Sequence, residues 1–300
     1  MNKIQCIFLL SFGLIGVVWA NASETSVVEW NAEQGLNDTI NRFAPDFATV
    51  SLCVADPTDQ SQDYLGITGH TFLRLKCSTF GLDYCCSYES ERIKGQLWDF
   101  IRGKLKMGMR AVPTEEYLED YRVWKRAVHE YRLNLPPDAE LRLWEQMDAH
   151  VLHENMVHMN LVRYGCANTI LRYVERALKP DTISYHWPEK YYTQTAAEII
   201  QHHLSIYPWT ALGFKIIGWR EFKRCRTPKQ KVIMPMDLLE VWSLATINGE
   251  PLLAYKGDIV EAEPVLVKKS WFTPQFAGIL FLILACGCSL LFILRKRNRK

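Results

Sequence analysis

The residue best suited to covalent chemistry is Cys166, which follows Gly165 and opens the stretch Ala167–Leu178 (ANTILRYVERAL). Ile170, Leu171, Val174 and Leu178 recur there at helical spacing and Lys179-Pro180 ends the pattern, which predicts a helix with Cys166 at its N-terminus. Unpaired backbone N–H groups and the macrodipole at such an end favour a thiolate and lower the thiol pKa. The same groups can donate to an oxyanion when a carbonyl is attacked. A thiol nucleophile also needs a base, and His70, set among glycines (Gly66 and Gly69) and leading into an alternating stretch, is the candidate. A cysteine on a helix end facing a histidine on a neighbouring strand is the papain-type arrangement, here with the histidine first in the chain, as in circularly permuted versions. Asp83 and Glu89 are both candidates to orient the imidazole, and spacing does not choose between them.

The elements that must hold these residues can be read in outline. Ile67–Cys77 alternates, with Leu73 and Leu75 on one face and His70, Phe72 and Arg74 on the other, and Gly81–Glu89 is expected to return beside it as a strand. Ala127–Leu135 alternates again before Pro136-Pro137-Asp138 opens a helix marked by Leu141, Trp144, Met147 and Val151. Met156–Tyr164 is expected as a strand and Tyr191–Leu204 as a helix, with Tyr207-Pro208-Trp209 breaking the chain. This is an α+β pattern, and the Cys166–His70 pair makes it a permuted papain-like domain with added helices.

Other residues compete for attention. Arg74 could meet a phosphate or carboxylate, or be a solvated strand charge. His150, His153, Glu154 and His158 lie close in sequence, but zinc would need a third ligand with buried support, and an amphipathic helix accounts for them as well. His202 and His203 point to different sides of a helix. Trp187, Tyr191, Tyr192, Trp209 and Trp219 suit either a core or a bilayer surface. No metal or cofactor is assigned.

Both ends are apolar. Residues 1–22 read as a signal peptide, from Lys3 through the apolar run to Ala20-Asn21-Ala22. Phe276–Leu294 is uncharged and would rise about 28 Å as a helix, which matches a bilayer core. Arg295, Lys296, Arg297, Arg299 and Lys300 follow it, a cluster expected to stay cytoplasmic. The expected organisation is an exported domain over residues 23–259, a stalk over 260–275, a transmembrane helix over 276–294 and a basic tail over 295–300. The formal charge is +2, but without Lys3 and the tail the body carries about −4, which argues against nucleic acid as a partner. Six of the nine cysteines (Cys53, Cys77, Cys85, Cys86, Cys166 and Cys225) fall in that body. An oxidising compartment permits pairing among them, with Cys77 and Cys85 or Cys86 placed to staple a hairpin.

Several motifs in order carry a resemblance: Gly69–Leu75 (GHTFLRL), the paired cysteines of LDYCC, Phe100–Leu105 (FIRGKL), Tyr131–Leu135 (YRLNL), Tyr164–Asn168 (YGCAN), Tyr207-Pro208-Trp209 with Gly213-Phe214, and Ile233-Met234-Pro235. Together, over residues 48–250, they resemble the DUF4105 family, also called Lnb N-terminal periplasmic domains. The resemblance implies a bacterial envelope protein of the inner membrane with its main domain periplasmic. His70 falls on the family's Gly-His motif and Cys166 on its cysteine motif. It further implies acyl transfer or acyl hydrolysis on lipoprotein or lipid esters through a cysteine thioester, with an acylated lipoprotein or membrane lipid as substrate. Many relatives follow the cysteine with Thr-Thr or Ala-Thr and an Arg, where this chain has Ala167-Asn168-Thr169 and Arg172. Two other readings stand beside it. One is a cysteine peptidase or amidase acting on wall peptides; the other is a non-catalytic envelope module with Cys166 in a disulfide.

Overall fold

Hydrophobic alternation along the chain builds one antiparallel sheet that carries helices on both faces. The computed structural model describes residues 27–30, 37–40, 47–58, 66–90, 104–153, 156–158, 160, 162–263 and 271–297. The strands are β1 (Val27–Trp30), β2 (Asn37–Ile40), β3 (Thr49–Ala55), β4 (His70–Cys77), β5 (Leu82–Ser90), β6 (Lys106–Pro113), β7 (Val128–Leu133), β8 (Val157–His158), β9 (Thr246–Ile247), β10 (Glu250–Pro251) and β11 (Leu253–Val260). The helices are α1 (Thr114–Val123), α2 (Pro137–Leu152), α3 (Cys166–Leu178), α4 (Lys190–Thr193), α5 (Ala196–His203), α6 (Pro208–Phe222), α7 (Pro235–Ser243) and α8 (Pro274–Arg297). Seven strands pair in the order β11-β7-β3-β4-β5-β6-β8, while β1-β2 and β9-β10 form separate pairs. The α+β class expected from the sequence is what the chain forms.

β3 lies beside β4 at the middle of the sheet and is buried from Val50 to Ala55, because side chains cover it on both faces. That double burial removes the alternation by which a strand is usually recognised. β4 keeps its alternation. Leu73, Leu75 and Cys77 enter the large core with α2, α3 and α7, while Phe72 faces a smaller cluster with Leu118 and Tyr121 of α1. In α3, Ala167, Ile170, Leu171, Val174, Ala177 and Leu178 are all within 2 % of full burial. Each large aliphatic side chain there contributes about 1.5–3 kcal/mol of transfer free energy, so the element bearing Cys166 is firmly seated.

Several expectations need correction. Of the expected Met156–Tyr164 strand, the described residues form a strand at Val157–His158, paired with Lys106 and Met107, and a turn from 162 onward. The Tyr191–Leu204 helix is split: Thr195 caps α5, accepting from Glu198 N while the Glu198 carboxylate accepts from Thr195 N. Pro208 does not break the chain but occupies the first turn of α6, where its missing N–H costs nothing. The Cys77–Cys85 staple is absent, and the eight described cysteines are all free. Cys77 pairs with Leu82 and Cys85 with Arg74, so the two thiols lie three pairs apart and on opposite faces. Cys86 shares the Cys77 face but stands opposite Leu73, four residues along the strand.

The aromatic set also divides. Tyr191 is fully buried and Trp187 stacks on Tyr185 at 4.7 Å, whereas Tyr192, Trp209 and Trp219 are exposed. Trp209 stacks on Phe272 at 5.6 Å and donates from Nε1 to its carbonyl at 2.8 Å, joining α6 to the base of α8. Phe276, Ile279 and Phe281 on α8 face outward. Among the described residues no helix is long and apolar enough to cross a membrane. The signal peptide (1–22), part of the stalk (264–270), the end of the tail (298–300) and Phe100–Gly103 lie outside the described residues.

Candidate active site

His70 is the first residue of β4 and is presented by Gly69, whose φ is +78°. A Cβ at Gly69 would stand 3.0 Å from the Ala55 carbonyl oxygen and in a backbone region strained for other residues, so the glycine before His70 is a steric requirement. Cys166 begins α3 after Gly165, an N-cap with extended backbone and no side-chain cap. The first-turn amides of α3 therefore keep no side-chain acceptor of their own at that cap.

The structure brings these two residues together. The Cys166 thiol hydrogen-bonds His70, and the Thr71 backbone reaches it as well. Burial by itself would raise the thiol pKa. The His70 charge and the hydrogen bonds of His70 and Thr71 outweigh it and bring the thiol from 9.0 to about 7. His70 responds in the opposite sense: burial opposes its protonated form, but Cys166 and then Glu89 leave its pKa raised. The pair thus leans towards thiolate and imidazolium, and its two titrations belong to the pair rather than to either residue.

The far side of the imidazole is also held. His70 Nε2 lies 2.7 Å from Ser87 Oγ and 3.7 Å from Glu89 Oε1. With Nε2 engaged there, Nδ1 is left for the sulfur. The β4–β5 register explains the meeting: extending the Leu73–Cys86 pairing by three residues sets Glu89 opposite His70. Glu89 is further bound by the Tyr117 hydroxyl and the Ser87 hydroxyl, and Arg110 approaches to 3.6 Å. Burial works against the Glu89 carboxylate, yet His70, Tyr117, Ser87 and Arg110 together hold its pKa below the ordinary value.

Asp83, the other proposed orienting residue, is elsewhere. It accepts from Arg74 at 2.8 and 2.6 Å and from Thr114 Oγ1 at 2.6 Å, while Arg74 also reaches Glu130 at 2.9 Å. Arg74 is thus neither a solvated charge nor a free anion receptor. His150 bonds Tyr173, and His203 Nε2 lies 2.7 Å from Asp237. Among the described residues no three His, Cys, Asp or Glu side chains cluster as metal ligands, and Glu154 lies outside those residues.

Thr71, Ser87 and Tyr117 were not singled out from sequence. Ser87 and Glu89 share a face of β5 by simple alternation, a signal that marks them once His70 is placed. Tyr117 gives no comparable local sign, since it reaches Glu89 from α1, which packs on that face of the sheet. Cys166 and His70 open on a cavity of about 470 Å³. Its lining combines apolar side chains, among them Phe214, Ile233, Met234 and Pro235, with Glu116, Tyr117, Asp120 and Arg126.

Neither characterised proteins nor solved structures give a match to the chain. One family model does match, over residues 39–196, a span that includes β3 to β5 with His70, Ser87 and Glu89, and α3 with Cys166. The chain belongs to the Lnb N-terminal periplasmic domain family.

Proposed function

We propose that this protein is a thiol-dependent acyltransferase or acyl hydrolase acting on lipoprotein or lipid esters, with a permuted papain-like site. The observation that carries the reading is the Cys166 thiol at a helix N-terminus, hydrogen-bonded to His70 and brought to about 7. The structural thiols Cys85 and Cys86, fully buried and without a histidine, stand above the ordinary value instead, whereas Cys166 is only partly buried.

The Cys166 thiolate attacks an ester carbonyl while amides at the start of α3 receive the developing oxyanion. The C–O bond then breaks, and the imidazolium of His70 gives its proton to the leaving alkoxide. An acceptor amine, or water, attacks the thioester, losing its proton to His70 as the C–S bond breaks and the thiolate returns. Ser87 and Glu89 hold the imidazole orientation and stabilise its charge.

The membrane tether is part of the proposal. An uncharged run from Phe276 to Leu294 lies within α8, with a basic cluster after it. Trp209, Trp271 and Phe272 form an aromatic group at its base, suited to a headgroup layer. An inner-membrane anchor would keep the periplasmic domain at the surface where acylated substrates reside. Incubating the full chain with a diacylated lipopeptide tests the reading. A mass-neutral movement of one acyl chain, or its release, is expected. Intact lipopeptide together with cleaved muropeptide would instead identify an amidase.

A further inference from the structure

Arg126 follows α1, is 3 % exposed, and lines the same cavity as Cys166 and His70. Its Nε donates to the Asp56 carbonyl, and its guanidinium carbon lies 5.3 Å from the centre of the Tyr121 ring. The buried Nη2 has no hydrogen-bond partner among the described residues. Among the described residues none supplies a carboxylate within ion-pair distance of it, in contrast to Arg74, which holds two. A buried cation without a counter-ion is among the costlier features a fold can keep, as is a buried donor left unmade. Its charge also reaches the site, since it acts to lower the His70 pKa.

The carboxylates of the cavity do not answer it. Glu89 is committed to His70, Tyr117 and Arg110, and Glu116 and Asp120 are exposed on α1, where solvent screens them. We propose that Arg126 is an anion subsite of the active cavity, receiving a phosphate or carboxylate group of the substrate whose carbonyl is presented to Cys166. The planar fork of a guanidinium suits such oxygens. With Phe214, Ile233 and Met234 lining the same cavity, it fits an amphiphile with an anionic group and an apolar chain. This inference rests on Cys166 being the nucleophile.

Competitive alkylation of the full chain, followed on the Cys166 peptide by mass spectrometry, separates the two ideas. Iodoacetamide reports the thiolate alone, whereas iodoacetate carries a carboxylate for Arg126 to receive. Arg126→Gln should lower the iodoacetate-to-iodoacetamide rate ratio by about 5- to 10-fold, the loss of one charge-assisted contact. Arg126→Lys should retain most of the ratio. Inorganic phosphate, at ionic strength held constant with chloride, should slow iodoacetamide alkylation of the unmutated protein. Dihexanoyl phosphatidate protecting at lower concentration than phosphate places the anion on an acyl ester; equal protection makes the free oxyanion sufficient. An unchanged ratio in Arg126→Gln overturns the subsite. If that variant does not fold, absence of phosphate protection in the unmutated protein overturns it. Failure of the nucleophile itself is distinct: iodoacetamide would then show no inflection near pH 7, whatever the ratio.

Discussion

Replacing His70 by alanine should move the ionisation of Cys166 by two pH units or more. In the intact site the thiol stands at about 7 against an ordinary 9.0, although burial acts to raise it. That difference is about 2.7 kcal/mol in favour of the thiolate. His70 supplies the largest opposing contributions, its charge and then its hydrogen bond, with Thr71 adding less. Without His70, burial prevails and the inflection should lie above pH 9. At pH 7.5 the thiolate fraction would fall from roughly three-quarters to below about 3 %. A single-pH rate understates this, because a more basic thiolate is intrinsically about 6- to 10-fold more reactive over two units. The measurement is therefore the pH profile of iodoacetamide alkylation at Cys166, resolved by peptide mass because Cys286 and Cys288 are exposed. An inflection that stays near 7 in His70→Ala, or lies near 9 before mutation, refutes the pairing.

The orienting roles separate in the same way. Glu89→Gln and Ser87→Ala should each cost about 1.5–3 kcal/mol of transition-state stabilisation, or about 10- to 150-fold in kcat/KM. Asp83→Asn should leave kcat/KM within a few-fold but lower the Tm, because Asp83 serves Arg74; a large kinetic loss would contradict that assignment. Asp148 is buried and its carboxyl is raised to about 7 by burial. A raised acid binds more protons folded than unfolded, so stability should fall as pH rises from about 4 to 7, by at most about 1.4 kcal/mol per unit. Asp148→Asn should flatten urea-denaturation stability across that window, and an unchanged slope would show that Asp148 is ionised throughout. The full chain should remain in the membrane pellet after carbonate extraction, and deletion of residues 271–300 should release it; release of the full chain would remove the tether.

The parts of the site legible in sequence were those written in local periodicity. The stripe Ile170, Leu171, Val174 and Leu178 fixes α3, and alternation around Phe72 and Leu73 fixes β4, so Cys166 and His70 could be placed on their elements. Choosing Glu89 over Asp83 needed the cross-strand register, because both lie on the same face of β5. Tyr117 depended on how α1 packs against the sheet, which no local pattern encodes. β3 escaped notice because burial on both faces erased its alternation, and α6 because a proline at a helix start resembles a break. The expected disulfide failed for a similar reason. Distance in sequence suggested a hairpin staple, but strand parity sends Cys77 and Cys85 to opposite faces.

Covalent capture tests the central claim most directly. The full chain is mixed with an acyl-ester lipopeptide, quenched in acid within the first turnovers and digested. An adduct of one acyl chain on the Cys166 peptide, removed by neutral hydroxylamine and absent in Cys166→Ala, is the predicted result. Acyl transfer at an undiminished rate in Cys166→Ala would contradict it.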